Sequence, residues 1–349
     1  MSLFRDLRRL GARVLAPVAL SAALLTACGG GTSQVQAFRP ARLVVMGDES
    51  SALAAATDAN GKPDGLKYSV NDRSTTTTTG QCLLLPTFAQ TVATLYGFVF
   101  AECNVGNATV KAYTVAEAGA TSASLAGQLL DAKVSGTPLN AQDLVTVMVG
   151  ANDMVDLYRS VRSGSRTRAE AVLEAQRLGS QVAAFVNDRV LATGARAIVL
   201  TIPDMGLSPY AIRENQTHAG ARQLLSDLSY EFNAYLRTRI DSSRFDGRNY
   251  ALVLADDVAA AMARAPGAFL ASPANAVDAA CDVPTGSDDD AAVRSALLAC
   301  TTTNLVTPTG QATATSATSH LWASDRHLGP AAHARIGSQA QSRLLNNPF

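Results

Sequence analysis

Aromatic residues are scarce in this chain, at 5%, and Trp322 is the only tryptophan. No charge of one sign dominates, since Lys+Arg and Asp+Glu both number 29 and the formal net charge is zero. Without a basic stripe or an aromatic-interleaved patch, the electrostatic footprint of a nucleic-acid binder is missing, and no nucleic-acid partner is expected. No CxxC pair and no Cys/His cluster carries zinc-ligand spacing, so neither a metal nor another cofactor is expected. No apolar run reaches the ~20 residues that a spanning helix needs. No internal repeat is visible. What is present is a chain of 349 residues, 47% hydrophobic and 17% charged. That is enough to bury one large α/β core or two small ones.

The N-terminus reads as a targeting segment. Arg5, Arg8, Arg9 and Arg13 form a basic region, and "VLAPVALSAALL" (14–25) a short apolar one, the order of a secretory signal. "LTAC" (25–28) then resembles a bacterial lipobox, whose cysteine is lipidated and becomes residue one; the other reading is an ordinary cleavage site beside a coincidental cysteine. Residues 29–34, "GGTSQ" and its flanking glycine, have the composition of a flexible tether. The expected division is a signal peptide over 1–27, a tether over 28–40 and one folded domain over 41–349. A lipid on Cys28 would hold the chain to the bacterial cell envelope. Gly29 stands where bacterial lipoproteins retained at the inner membrane carry aspartate, which points to the outer membrane. Setting Cys28 aside leaves Cys82, Cys103, Cys281 and Cys300, an even number for an oxidising compartment. Three pairings are possible, and proximity in sequence favours 82–103 and 281–300.

Along the folded part, strand and helix patterns alternate. "ARLVVMG" (41–47), "DLVTVMVG" (143–150), "ARAIVLTIPD" (195–204) and "YALVLAD" (250–256) read as buried parallel strands, short apolar runs that end at turn residues. "VKAYTVAEAGATSASLAGQLLDA" (110–132) runs from a strand through a turn into a helix. Helical spacing marks 85–97, 167–194, 223–241 and 328–345, the last with proline in its first turn. Residues 57–81 read as a long loop, and about 265–319 as a disordered or loop-rich insertion. This alternation predicts an α/β fold, a three-layer sandwich with a parallel sheet and helices on both faces. The turns Gly47–Ser51, Gly150–Asp153 and Pro203–Pro209 all follow strands, so they should share the rim where such folds bind ligands.

The residues at that rim suit acyl transfer, which needs a nucleophile, a histidine, a group to orient the histidine, and donors for an oxyanion. Four blocks, in order, resemble the SGNH or GDSL family of esterases and lipases: "MGDESS" (46–51), "AGATSASL" (118–125), "VGANDM" (149–154) and "WASDRHLGPAAH" (322–333). "IPDMGLSP" (202–209) and "FNAYL" (232–236) add to the resemblance, which covers roughly residues 41–345. It implies a flavodoxin-like sheet, Gly119 and Asn152 as oxyanion donors, and His327 as the catalytic base. It also implies a small-molecule or lipid ester as substrate; nothing in it fixes an oligomeric state.

Two blocks depart from the family pattern. Aligned without gaps, the family's Gly-Asp-Ser puts Glu49 at the nucleophile position, and its Asp-x-x-His puts Ser324 where the orienting acid belongs. Three readings of the first block stay open. The turn absorbs one residue and Ser50 is the nucleophile, with Ser51 as a helix cap. Glu49 itself acts on substrate. Or the site is inactive and the fold binds a ligand or partner. The expectation carried forward is ester hydrolysis by Ser50 and His327, with Asp325, two residues before the histidine, reaching back to orient it; a backbone carbonyl or Ser324 in that role stays open. Asp153 is expected as the cap of its helix, Trp322 as core, and "SDDD" (287–290) as a solvated helix start. Of the other histidines, His218 is expected at the surface, His333 inside the closing helix and His320 outside the site.

Overall fold

The structure is a computed structural model that describes residues 38–72, 80–131, 134, 136–240, 249–284, 290–306 and 316–346. The expected signal peptide and Cys28 lie outside the described residues, as do most of the tether and Ser287 to Asp289 of the acidic run.

Valine, leucine and isoleucine runs build a parallel sheet from β1 (Arg42–Gly47), β4 (Ala112–Thr114), β5 (Asp143–Met148), β6 (Arg196–Leu200) and β7 (Tyr250–Val253), in the order β4-β1-β5-β6-β7. Between β1 and β4 lies a short antiparallel pair, β2 (Leu53–Ala54) and β3 (Leu66–Lys67), of which β3 falls within the stretch 57–81 expected as loop. The helices are α1 (Phe88–Leu95), α2 (Leu125–Gln128), α3 (Ala151–Arg162), α4 (Arg168–Phe185), α5 (Pro209–Thr217), α6 (Ala221–Arg239), α7 (Ala255–Arg264), α8 (Pro266–Phe269), α9 (Asp290–Leu298) and α10 (Pro330–Asn346). Several start where side-chain chemistry dictates. Thr87 and Thr167 close capping boxes with Gln90 and Glu170, and Ser208 accepts from the Ala211 N–H ahead of proline at the first turn of α5.

Because side chains alternate along a strand, each central strand feeds two cores. Val44, Met46, Val145, Val147, Ala197 and Val199 face one side, where Leu157 of α3, Ala175 and Val182 of α4, and Leu225, Leu228 and Phe232 of α6 cover them. Leu43, Val45, Leu144, Met148, Ile198 and Leu200 face the other, against Phe88 and Val92 of α1, Met262 of α7, and Ile336 and Ala340 of α10. This is the expected three-layer α/β sandwich. Trp322, fully buried, belongs to the second core.

The described part of the loop-rich insertion carries a few short elements. After α8, β8 (Asn275–Ala279) pairs in parallel with β9 (His320–Trp322), and α9 follows. A third, small core gathers Val70, Ala280, Val283, Leu297, Leu305 and Ala323. Its polar composition hides these apolar side chains because they are spread thinly through it. Both favoured disulfides form, Cys82–Cys103 and Cys281–Cys300, the second tying the end of β8 to the end of α9. α9 thereby presents Asp290 and Arg294 to the sheet rim.

Gly47 ends β1 with φ +138°, and a Cβ there would lie 1.9 Å from the Met148 carbonyl oxygen. Only glycine lets the chain turn out of the sheet at this point. The Gln128 side chain secures the turn, accepting from the Gly47 N–H at 2.9 Å and donating to the Gly47 carbonyl at 2.8 Å.

Candidate active site

The turns after β1, β5 and β6 share one rim, as expected, and the loop before α10 joins them. A cavity of about 20 Å³ lies there, lined by Asp48, Glu49, Ser50, Ala151, Asn152, Val155, Met205, Arg326 and His327. It has room for little more than one water molecule. Wider grooves, of about 320 and 440 Å³, include none of these residues.

Glu49 explains why the cavity is so small. Its side chain, 3% exposed, points into the site and not beneath the turn. Oε1 accepts from the Gly119 N–H at 2.8 Å, and Oε2 accepts from the Asn152 side-chain amide at 2.8 Å. Arg294 of α9 donates to Oε1 at 3.3 Å, and His327 Nε2 stands 3.9 Å from the same oxygen. Each oxyanion donor is therefore engaged by a carboxylate of the protein itself. Gly119 is in the left-handed region, φ +83°, and a Cβ there would meet the Arg294 guanidinium at 3.3 Å, so the arginine covers the Gly119 side of the cradle. Asn152 sits in the first turn of α3 and is steadied by donating to the Ala120 carbonyl at 2.9 Å.

On the opposite side of the imidazole, the residue in contact is Ser324, whose Oγ lies 2.6 Å from His327 Nδ1. Ser324 Oγ also accepts the N–H groups of Arg326 and His327, both at 3.2 Å. A hydroxyl has two lone pairs and one proton. With both lone pairs taken by backbone donors, the hydroxyl proton is the group left for Nδ1. Nδ1 then accepts, and the ring proton is on Nε2, facing Glu49. A serine-hydrolase triad needs the reverse, a proton on Nδ1 and a lone pair on Nε2.

Among the five residues expected at the site, Gly119, Asn152 and His327 converge. Ser50 lines the same cavity, but its N–H donates to Asp48 Oδ1 at 3.0 Å and no hydrogen bond joins it to His327. Asp325 is displaced from its expected role. Fully buried, it pairs with Arg213 at 3.3 Å and with Arg326 Nε at 3.2 Å, facing away from the histidine. The turn leaves Ser324, three residues before His327, as the side chain that reaches the ring. Ser51 is buried and caps no helix. Asp153 is no cap either: its carboxylate accepts both the N–H and the hydroxyl of Ser122, tying α3 to the Gly119 turn. His320, on β9, bonds the neighbouring Ser319, His333 stacks on Phe88, and His218 is at the surface. Ser324 stands at the position that the family pattern marks for the orienting group, whereas Arg294 and Gln128 carry no such mark. Neither Arg294 nor Gln128 falls inside one of the four blocks.

Two adjacent carboxyls titrate in opposite directions. Burial alone would raise Glu49, but the His327 imidazole facing it, and then the Asn152 amide, hold it well below its ordinary value. At 3.9 Å, His327 acts on it as an electrostatic neighbour more than as a hydrogen-bond partner. Asp48 is pushed up to about 8, by burial first and the Glu49 charge second, and its Oδ2 has no hydrogen-bond partner.

The family model of the GDSL-like Lipase/Acylhydrolase family matches residues 43–339. The chain therefore belongs to that family of esterase- and lipase-type hydrolases. No curated protein matches it. Among solved structures it is similar to an extracellular lipase from Streptomyces rimosus, at 16% identity over 63% of this chain and 82% of that one, TM-score 0.37. It is also similar to a phospholipase A1 from Streptomyces albidoflavus NA297, at 17% identity over 64% and 81%, TM-score 0.31. A third is an acetyl xylan esterase from Geobacillus stearothermophilus, at 12% identity over 68% and 87%, TM-score 0.35. At such low identity the family model, not these likenesses, carries the assignment.

The Asp48 shift fixes a pH dependence. A carboxyl that keeps its proton longer folded than unfolded loses stability for the fold as pH rises from about 4 towards 8. Asp48→Asn keeps the acceptor for the Ser50 N–H and removes that loss. Urea unfolding at pH 5 and pH 8 should show the variant gaining on the wild type at the higher pH; parallel curves would contradict a buried, protonated Asp48.

Proposed function

We propose that this member of an ester-hydrolase family is not a serine esterase in the form described, and that it serves at the bacterial envelope as a lipid-tethered binding protein built on the hydrolase fold. The carrying observation is the Glu49 carboxylate, which takes the N–H of Gly119 and the amide of Asn152 that a tetrahedral intermediate would need. An anion already fixed between those donors repels a second one developing there. His327 meanwhile offers Glu49 an N–H and not a lone pair, so it lacks the form of a general base toward a nucleophile on that side. Attack by Glu49 itself finds little support, since a carboxylate held well below its ordinary pKa and engaged by three donors is a poor nucleophile.

A second reading keeps the expected chemistry: hydrolysis of small-molecule or lipid carboxylic esters by Ser50. Its support is that Ser50 and His327 line one cavity. It requires Glu49 to leave the cradle and His327 to exchange its tautomer.

Turnover of a short-chain aryl ester, together with labelling by a fluorophosphonate, separates the two readings. The first expects no turnover above background and no adduct. Activity lost in Ser50→Ala but retained in Ser51→Ala, with the adduct on Ser50, would establish the second. The envelope assignment rests on the segment ending at Cys28. Cys28→Ala is expected to leave the membrane fraction and to lose the mass of the lipid; unchanged fractionation would contradict it.

A further inference from the structure

The two departures from the family pattern are not independent, because they meet on one imidazole. The family places a hydroxyl on the Nε2 side of the histidine and a carboxylate on the Nδ1 side. Here the carboxylate, Glu49, is 3.9 Å from Nε2, and the hydroxyl, Ser324, is 2.6 Å from Nδ1. Hydroxyl and carboxylate have exchanged sides. We infer that Glu49 stands permanently in place of an acylated serine, and that the surrounding frame remains a competent serine hydrolase which exchanging these two side chains back would release.

The correspondence is atomic. In an acylated serine the carbonyl carbon is two bonds from Cβ, through Oγ; in Glu49 the carboxylate carbon is two bonds from Cβ, through Cγ. The carboxylate thus occupies the place of the ester group of an acyl-enzyme, within reach of the same donors. One detail differs. The Gly119 N–H and the Asn152 amide are shared out, one to each carboxylate oxygen, where an oxyanion would take both on one atom. The donors also have supports that do not involve Glu49. Gly119 is fixed by its left-handed turn, Asn152 by the Ala120 carbonyl, and Gly47 by Gln128. Removing Cγ and the carboxylate would also enlarge the cavity of about 20 Å³ on the side where an acyl group must enter. Arg294, paired with Glu49 now, would face the vacated cradle as an added cationic donor.

In the exchanged variant the chemistry balances without a cofactor. The hydroxyl introduced at position 49 attacks the ester carbonyl carbon, and its proton passes to His327 Nε2. The C–O bond to the leaving alcohol breaks as that proton is returned to the departing oxygen. Water then adds to the acyl group by the same route and releases the acid. The carboxylate introduced at position 324 holds the proton on Nδ1 and leaves Nε2 free to accept.

This inference rests on the reading of the wild type as non-hydrolytic, and the test separates the two. The variants are Glu49→Ser, Ser324→Asp, the double exchange, and the double exchange with His327→Ala. Each is assayed on an aryl acetate and with a fluorophosphonate, the adduct being located by mass. The double exchange is expected to turn over ester and to label at position 49. Glu49→Ser alone should label weakly and run slower, by up to about 10⁴-fold, the loss seen when a triad lacks its orienting acid. Ser324→Asp alone, and the variant without His327, should do neither. Burying a carboxylate at 324 is the riskier change for folding, so circular dichroism and intact disulfides qualify each variant. If the double exchange does not fold, labelling of Glu49→Ser at position 49 decides the matter. A folded double exchange that neither labels nor hydrolyses, or a folded Glu49→Ser without adduct when the double fails, overturns the inference. An active wild type would instead overturn the proposed function, while an adduct at position 49 in the exchanged variant would still support this inference and its absence would overturn it.

Discussion

The contact on which the site turns is a buried carboxylate held between two N–H donors of the protein. Leaving such a charge buried and unpaired would be strongly destabilising, by about 3–5 kcal/mol when one partner of a buried pair is removed. The rim supplies Glu49 with a backbone N–H, a side-chain amide and a guanidinium, and an imidazole N–H faces it. Those groups come from the turn before α2, from the first turn of α3, from α9 and from the loop before α10. A single side chain thus ties together four separate parts of the chain. The donors that make the family's site a stabiliser of transient negative charge make it, here, a cradle for a permanent one.

The insertion contributes to that closure. α9 brings Arg294 to Glu49 and Asp290 to Arg159 and Arg326, and the Cys281–Cys300 bridge fixes the segment at both ends. Burial raises the Asp290 carboxyl, but the two arginines more than reverse this and hold it low, near 2. Arg326, Arg213 and Arg159 also pack around the Tyr210 ring, so the floor beside His327 is a charged network anchored on an aromatic. Asp325 belongs to this network, which accounts for its absence from the histidine.

Much of the fold was legible from periodicity. The apolar runs at 41–47, 143–150, 195–204 and 250–256 became β1, β5, β6 and β7, and Gly194, with φ +83°, ends the long helical segment that begins at α4. The helix at α7 was missed because its alanine-rich turn follows the strand without a break. Within the loop-rich insertion, the small core is hard to read because it needs few apolar residues. At the site, Gly119, Asn152 and His327 were readable because glycine at a sharp turn and asparagine at a helix start have local causes. The roles of Glu49 and Ser324 were not. Whether a turn absorbs a residue depends on what the opposite wall offers, and Arg294 comes from 245 residues away in sequence. A positional alignment without gaps marked both residues, and the structure keeps that register.

The account depends on which ring nitrogen of His327 carries the proton. Nitrogen-15 chemical shifts of the His327 ring, assigned by comparison with His327→Gln at neutral pH, read this directly. A protonated, pyrrole-like Nε2 beside an unprotonated, pyridine-like Nδ1 is the expected pattern. A pyridine-like Nε2 with the proton on Nδ1 would return the histidine to the form of a catalytic base and contradict the exchange of hydroxyl and carboxylate across it.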